Sequence, residues 1–201
     1  MSILIQIANA LVRDGATAIT IIGTLLLIGS YVYLKPGEAL QKFLRKFGIG
    51  IATAYIALAL IASMLQYWLW TQATFTQFFL PPHQPISYYL GYIAMHFWLK
   101  PVLGIGLALL WYVFLYVVKH HKDRYFEGGE TELAAIAFML VSWPLVIVLF
   151  PIFAVSVLAV SIGRFIIAQE RYTTFGIPIL VATAVTLLLG NQIMLFILRR
   201  F

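Results

Sequence analysis

The sequence predicts an all-α fold, a polytopic integral membrane bundle of about five transmembrane helices in one domain, 1–201. Hydrophobic residues make up 63% of its 201 residues and charged residues only 10%, whereas soluble domains carry about 25% charged residues. Five apolar runs are each long enough to cross a hydrocarbon core of about 30 Å. The charges fall in short blocks between these runs, as in multi-pass proteins. A water-soluble single domain is therefore excluded.

The segment before the first apolar run is predicted to form an amphipathic N-terminal helix. Ser2, Gln6, Asn9 and Arg13 recur three or four residues apart, which places them on one helical face. Such a helix either lies along the membrane surface or packs on the bundle. We expect no cleavable signal peptide, because the first basic residue comes after the apolar stretch rather than before it.

The first two spans are predicted at residues 16–34 and 47–70. Residues 16–34 contain no charge and extend about 28 Å as a helix, close to the thickness of the core. Span two ends in an aromatic cluster typical of a membrane interface. It also carries small residues four apart, which let helices approach closely in lipid. These are Gly50 with Ala54, Thr53 with Ala57, and Ala59 with Ser63.

Residues 71–87 contain no Lys, Arg, Asp or Glu, and the prolines between 81 and 85 exclude a helix there. We expect an ordered aromatic cap on the non-cytoplasmic surface. Beyond it, the preferred interpretation breaks the chain at Lys100-Pro101. An interfacial helix then occupies 88–99 and span three occupies 101–118, since proline is well tolerated at the start of a helix. One continuous helix is the alternative.

Span four is predicted at 132–162, which is longer than one straight crossing requires. Pro144 and Pro151 lie seven residues apart, so both kinks fall on one helical face. We expect one bent helix, and a re-entrant hairpin that turns near Pro151 is the alternative. Span five is predicted at 176–198.

The distribution of basic residues predicts the orientation. With the N-terminus outside and the C-terminus cytoplasmic, nine of the 13 Lys and Arg residues lie inside, which agrees with the positive-inside rule. A hairpin in span four leaves this count unchanged, because two arginines move inside while two move outside. We expect a bacterial-type inner membrane. The predicted contacts with lipid headgroups are Lys42, Arg45, Lys46, Arg199 and Arg200.

No cofactor or metal is expected. The chain has no cysteine and four histidines. His96 and His120 are 24 residues apart, about 36 Å along a helix, so they cannot bind one haem or metal ion from one helix. His120 and His121 precede Glu130 and Glu132 in the most polar loop, which makes these four residues a candidate loop or cap site.

Glu130 and Glu132 follow two glycines at the predicted start of span four. The run Gly128–Leu133 resembles the Gly-rich acidic motif of prepilin peptidase-type intramembrane aspartyl proteases, with Glu130 in place of the motif aspartate. The resemblance implies catalysis by a pair of acidic residues, but no second motif surrounds either aspartate of this chain. The preferred interpretation is that Thr131 or Glu130 caps the helix, with both glutamates favouring its N-terminal dipole.

Three polar side chains lie inside predicted spans. Asn191 and Gln192 are expected to hydrogen-bond to a neighbouring helix, and Ser142 to satisfy a carbonyl that Pro144 leaves without its donor. The predicted spans have no ionisable residue near their centres, although coupled transporters and proton pumps usually keep one there.

These features predict a non-enzymatic multi-pass membrane protein that acts as a subunit, anchor or assembly partner of a larger membrane complex. Its expected partners are the lipid bilayer and other subunits or copies of itself, and nucleic acid is not among them. A small channel or transporter for a neutral solute, lined by span four and the Asn191 region, is the alternative. A prepilin-peptidase-like intramembrane enzyme is the third hypothesis.

Overall fold

The computed structural model describes residues 2–72, 74–121, 127–168 and 174–199, which form helices and turns without a β-strand. Within these ranges, five helices are long and apolar enough to cross a membrane. The all-helical class is therefore confirmed, and the number of candidate spans agrees with the prediction.

The first two long helices are α1, Ser2–Leu34, and α2, Glu38–Gln72. The predicted amphipathic segment continues into α1 without a break, so it is not a separate helix, and the side chains of its polar face lie outside the described residues. The turn at Pro36-Gly37 separates the two helices. α2 begins earlier than predicted, since Glu38 suits the first turn of a helix by its charge.

A short aromatic cap follows α2, as predicted. It contains a 3₁₀ turn, Thr76–Phe79, and the proline-rich residues 81–85 form turns rather than a helix. Trp70, Leu80 and Tyr89 are buried together there. Burial of these large side chains holds the cap in place.

The next helix runs from Ile86 to His121. The predicted break at Lys100-Pro101 is therefore wrong, and the alternative of a continuous helix is correct. Pro101 has no N–H for the Phe97 carbonyl, and a π-helical turn immediately before it changes the local hydrogen bonding. The parts of this helix are α3, Ile86–Ile93, the π-helical turn, Ala94–Trp98, and α4, Leu99–His121.

Predicted span four consists of two helices. Trp143-Pro144 ends the first, because proline has no N–H for the Leu140 carbonyl and disfavours helical backbone in the residue before it. Ser142 leaves the helix with φ 58° and ψ 174°, a conformation otherwise found almost only in glycine. One bent helix is therefore wrong, and the chain turns at 142–145 rather than near Pro151. The two helices are α5, Glu130–Val141, and α6, Val146–Ala168.

α5 and α6 form a hairpin. Phe138 of α5 lies beside Phe150 of α6, with ring centroids 5.3 Å apart. Near the other end of α6, Arg164 lines one pocket with Glu127, which precedes α5. The chain therefore reverses direction at the turn 142–145 and returns to the end of the bundle where α5 begins.

The last helix, α7, Gly176–Leu198, agrees with predicted span five. Tyr31 near the end of α1 lies against Gly176, whereas Asn191 lines the same cavity as Thr17, which comes 14 residues before Tyr31 in α1. α1 and α7 are therefore antiparallel, so the start of α1 and the end of α7 share one end of the bundle. This arrangement differs from the predicted one, in which five crossings leave the start of α1 and the end of α7 at opposite ends, because α5 and α6 enter the bundle and return.

α5 lies at the centre of the bundle. Eleven of its twelve residues are buried, and it packs against α1, α2, α4 and α7. Leu133, Ala137 and Phe138 are each at most 1% exposed. At about 18 Å, α5 is too short to cross a hydrocarbon core, so its C-terminal end lies inside the bundle.

Candidate functional site

The end of α5 opens into a cavity of about 800 Å³, which we call the central cavity. It lies between α1, α2, α4, α7 and the turn 142–145. Its volume falls within the range of roughly 300–1,000 Å³ that ligand sites occupy. Most of the lining is apolar, and its polar side chains are Thr17, Thr20, Thr24, Tyr55, His96, Lys100, Ser142 and Asn191.

One wall of the central cavity is formed by the last turn of α5. A Cβ placed on Gly104 would lie 3.4 Å from the Met139 carbonyl oxygen, so the glycine lets α4 pass close to this turn. The Leu140 carbonyl has no α-helical donor, since Pro144 lacks an N–H. Carbonyl oxygens at a helix C-terminus carry partial negative charge. This wall can therefore accept hydrogen bonds from a ligand.

Hydroxyl groups on α1 and α2 form a fixed pair in another wall. The Thr20 hydroxyl donates to the Ala16 carbonyl at 2.9 Å, so the Tyr55 hydroxyl, 2.8 Å away, is the donor to Thr20. The Thr24 hydroxyl donates to the Thr20 carbonyl at 2.8 Å. Because these hydrogens are already bound within the protein, a ligand here meets oxygen lone pairs rather than free donors.

The basic groups of the central cavity are Lys100 and His96, both exposed and four residues apart on one helix. Residues at this spacing share a helical face. The His96 ring stacks on Tyr92 with centroids 4.0 Å apart, and its Nδ1 lies 2.8 Å from the Tyr92 carbonyl. Among the described residues that line the cavity there is no Asp or Glu. The basic side of the cavity thus has no carboxylate in its lining.

A second polar group, which we call the carboxylate cluster, consists of Glu130 and Glu132 at the start of α5. Glu130 is 1% exposed. Its Oε1 accepts the Gly176 N–H at 2.6 Å and its Oε2 accepts the Glu127 N–H at 3.0 Å. Glu130 therefore caps α7, whose first N–H groups have no partner within the helix.

The charge state of Glu130 reflects opposing influences. Burial raises the pKa of the Glu130 carboxyl above its ordinary value of 4.5, because removal from water disfavours the ionised form. The hydrogen bonds from Glu127 and Gly176 lower the pKa, and the charge of Glu127 raises it further. The net direction is upward, so the folded protein holds this proton more tightly than an exposed glutamate does.

Glu132 connects α5 to α2. Its Oε1 accepts hydrogen bonds from Arg45 Nε at 3.0 Å and from Gln41 Nε2 at 2.8 Å. The Glu132 side chain is 6% exposed and that of Arg45 58%. Arg45, predicted as a headgroup contact, is therefore also the partner of a buried carboxylate. Glu132 Oε2 and Thr131 Oγ1 are buried without a hydrogen-bond partner in the described part of the chain, so Thr131 does not cap the helix.

The polar residues predicted inside the spans occupy different positions. Ser142 and Asn191 line the central cavity, and Gln192 does not. The Ser142 hydroxyl lies 3.4 Å from the Trp143 carbonyl rather than on the Leu140 carbonyl, because Ser142 has already left the helix. Asn191 and Gln192 are exposed and make no hydrogen bond within residues 2–72, 74–121, 127–168 and 174–199. Their contact with a neighbouring helix stays a prediction.

The histidines at the end of α4 remain at the surface. His121 Nδ1 lies 2.9 Å from the Val117 carbonyl, and the rings of His120 and His121 are 5.8 Å apart. In the described ranges, no group of three or more His, Cys, Asp or Glu side chains is placed to hold a metal ion. The four residues of the candidate loop site therefore differ in burial. Glu130 and Glu132 are buried in the carboxylate cluster, whereas His120 and His121 are exposed.

The other predicted headgroup contacts are exposed where they are described. Lys42 pairs with Glu38 at 3.6 Å, and these side chains are 79% and 88% exposed, so the pair contributes little to stability. Lys46 and Arg199 are exposed. Arg200 lies outside the described residues.

The two carboxylates of the cluster bind different helices, since Glu130 contacts α7 and Glu132 contacts α2. They are not brought together as the acidic pair that the resemblance to prepilin peptidases implies. Glu130 is a predicted cap, but of its own helix rather than of α7. Its partner Gly176 comes 46 residues later, and no local pattern indicates such a pairing.

Comparison of the chain with protein-family models, with curated proteins and with solved structures finds no match. Its function is therefore inferred from the central cavity and the carboxylate cluster.

Proposed function

We propose that this chain is a non-enzymatic, multi-pass membrane protein that binds a largely apolar solute in the central cavity and carries it. The observation that supports this most directly is α5, a buried helix that ends partway through the bundle at the cavity. Interrupted helices form the substrate sites of many transporters. Irregular backbone at membrane depth is tolerated where it is enclosed by protein or lines a cavity, as the turn 142–145 does.

The packing around the start of α5 favours a pocket with one entrance over an open channel. A Cβ on Gly128 would lie 3.0 Å from the backbone of Gly37, so these two loops are in close contact. Glu130 and Glu132 join the same region to α7 and α2. We infer that the solute enters from the opposite end, and that passage through the bundle requires α5 or its neighbours to move.

The end of the bundle at which α5 begins is proposed to face the cytoplasm of a bacterial-type inner membrane. Cytoplasmic surfaces concentrate Lys and Arg, and Arg164 and Lys35 line one pocket beside Glu127. The central cavity would then open towards the outer face. The basic residues at the start of α2 add to this charge, and they are Lys42, Arg45 and Lys46.

Native mass spectrometry of the protein released into mild detergent tests the cavity. Ala184 lines the cavity, whereas Ala57 is exposed on α2. We expect the wild type and Ala57→Phe to retain a bound lipid or small molecule and Ala184→Phe to lose it. If Ala184→Phe does not fold, Thr17→Trp is used in its place, because it fills the cavity from α1. Equal retention by filled and unfilled variants, or no adduct after incubation with membrane extract, contradicts the proposal.

A second candidate is the role of subunit or assembly partner. α2 presents Gly50, Thr53 and Ala57 on an exposed face, and a Cβ on Gly50 would meet nothing within 4 Å. A row of small residues allows another helix to approach closely in lipid. We propose that a second membrane helix packs there.

Co-purification in mild detergent, followed by mass spectrometry, tests this role. A stoichiometric partner that is present with the wild type and with Ala184→Phe, and absent with Ala57→Phe, supports the subunit role. A monomer without partners counts against it. Because each variant affects one surface, the two proposals can fail separately.

A further inference from the structure

Lys100 occupies a particular position in the central cavity. It lies 18 residues before Val118 in one continuous helix, a distance of about 27 Å along the axis. Val118 is near the end of the bundle that carries the basic residues of α2. Lys100 therefore lies close to the opposite boundary of a hydrocarbon core about 30 Å thick. A lysine at that depth places its ammonium at the level of lipid headgroups and its methylene chain against apolar surface.

The charge of Lys100 has no counter-ion in the cavity wall. The described lining contains no Asp or Glu. A cation in contact with apolar surroundings gains most from a partner that brings an anion, because a charge-assisted hydrogen bond is about twice as strong as a neutral one. The site therefore favours a ligand with an anionic group at this point.

The rest of the cavity favours an acyl chain. Beyond Lys100 the walls are mainly leucine, isoleucine and alanine side chains of α1, α2 and α7. The volume of about 800 Å³ is that of a site for a drug-sized molecule, which suits one chain with a small headgroup better than a two-chain phospholipid. A carboxylate is the smallest anionic headgroup that can accept hydrogen bonds from the Lys100 ammonium.

We propose that the central cavity binds a long-chain fatty acid, with its carboxylate at Lys100 and its chain between α1, α2 and the turn 142–145. This inference rests on the proposed function, because it names the ligand class of the same cavity. Lys100 is then a specificity-determining residue, since it selects the ionised acid over neutral lipids of the same length.

The experiment uses the full chain in nanodiscs of zwitterionic lipid, titrated with cis-parinaric acid, a fluorescent fatty acid, and with its neutral methyl ester. We expect the wild type to prefer the acid. Lys100→Gln should weaken binding of the acid by at least about tenfold and leave binding of the ester unchanged. Lys46→Gln, an exposed lysine at the other end of the bundle, is the matched control and should bind both probes like the wild type.

The possible results separate the two proposals. Equal affinity for acid and ester, or no effect of Lys100→Gln, overturns the fatty-acid assignment and leaves a cavity for neutral solutes. Equal loss in Lys46→Gln shows attraction to surface charge and also overturns it. If neither probe binds above empty nanodiscs, or Ala184→Phe binds them like the wild type, the proposed function itself fails. Circular dichroism of each variant shows whether it has folded.

Discussion

The carboxyl group of Glu130 is buried where α5 and α7 begin, and this position contributes a pH dependence to the stability of the fold. Because burial raises its pKa above 4.5, the folded state binds a proton more tightly than the unfolded chain. The folded state is therefore favoured most below the ordinary pKa. Stability falls as the pH rises from 4.5 through the raised value, since the folded state then has to ionise a buried group.

Glu130→Gln is predicted to remove this dependence. Glutamine keeps an oxygen for the Gly176 N–H but does not titrate, so the unfolding free energy should no longer decrease in this window. The wild-type decrease is at most about 1.4 kcal/mol per pH unit for one proton. Unfolding by SDS in mixed micelles between pH 4 and 8 measures both proteins. The exposed Glu38→Gln is the control, and identical slopes for the wild type and Glu130→Gln would falsify this account.

At the scale of helices and loops, contact between backbones determines where α5 begins. Gly37 donates its N–H to the Gly128 carbonyl at 2.9 Å, and the same two residues are in van der Waals contact. Gly129 then adopts a φ of 96°, which glycine allows at low cost. The loop after α1 therefore forms the surface on which the start of α5 rests.

Gly128→Ala is predicted to destabilise the protein by about 1–3 kcal/mol, because the new methyl group meets backbone atoms that cannot move freely. Gly106→Ala provides the contrast. Gly106 lies inside α4 with nothing within 4 Å of an added Cβ, so alanine should stabilise the helix by roughly 0.5–1 kcal/mol. Both values come from unfolding titrations at one pH. A Gly128→Ala protein as stable as Gly106→Ala would show that the loop contact is not tight.

At the scale of the whole molecule, the hairpin of α5 and α6 decides on which side each later segment lies. A single crossing in this region would place the end of α7 at the end of the bundle opposite the start of α1. The hairpin returns the chain instead, so that α7 runs antiparallel to α1. The aromatic cap after α2 shares its end of the bundle with the last turn of α7.

Labelling of single cysteines tests this topology, and the chain offers a clean background because it has no cysteine of its own. We expect a membrane-impermeant maleimide to label Gln77→Cys and Arg199→Cys on intact cells. Lys46→Cys should react only after the cells are permeabilised. The hairpin is disproved if Gln77→Cys is labelled on intact cells while Arg199→Cys, like Lys46→Cys, is labelled only after permeabilisation.

Much of the architecture could be predicted because apolar length and proline position are local properties of a sequence. The predicted helix at 176–198 is confirmed, since the run is uniformly apolar and begins at a glycine. The continuous helix through Pro101 was not preferred, because the π-helical turn that accommodates the proline has no sequence signature. A hairpin is one of the two predicted alternatives for span four, with its turn near Pro151. Whether the chain turns near Pro144 or near Pro151 depends on which turn packs against α4 and α7.

The candidate site was less predictable, since a cavity is a property of packing between distant segments. Asn191 and Ser142 were singled out as polar residues in apolar runs, and both line the central cavity. Lys100 lines the same cavity as Thr17 and Asn191, and this depends on the arrangement of three helices. Glu130 and Gly176 similarly form a contact between segments whose proximity no local pattern indicates.

The dependence of α5 on α7 has a consequence for biogenesis. α5 is too short to be held in the membrane by its own hydrophobicity, and Glu130 lacks one of its two amide donors until Gly176 has left the ribosome. We therefore expect α5 to settle between its neighbours only after α7 has been inserted. In that interval Glu130 lacks the Gly176 N–H, and the start of α5 is not yet joined to α7.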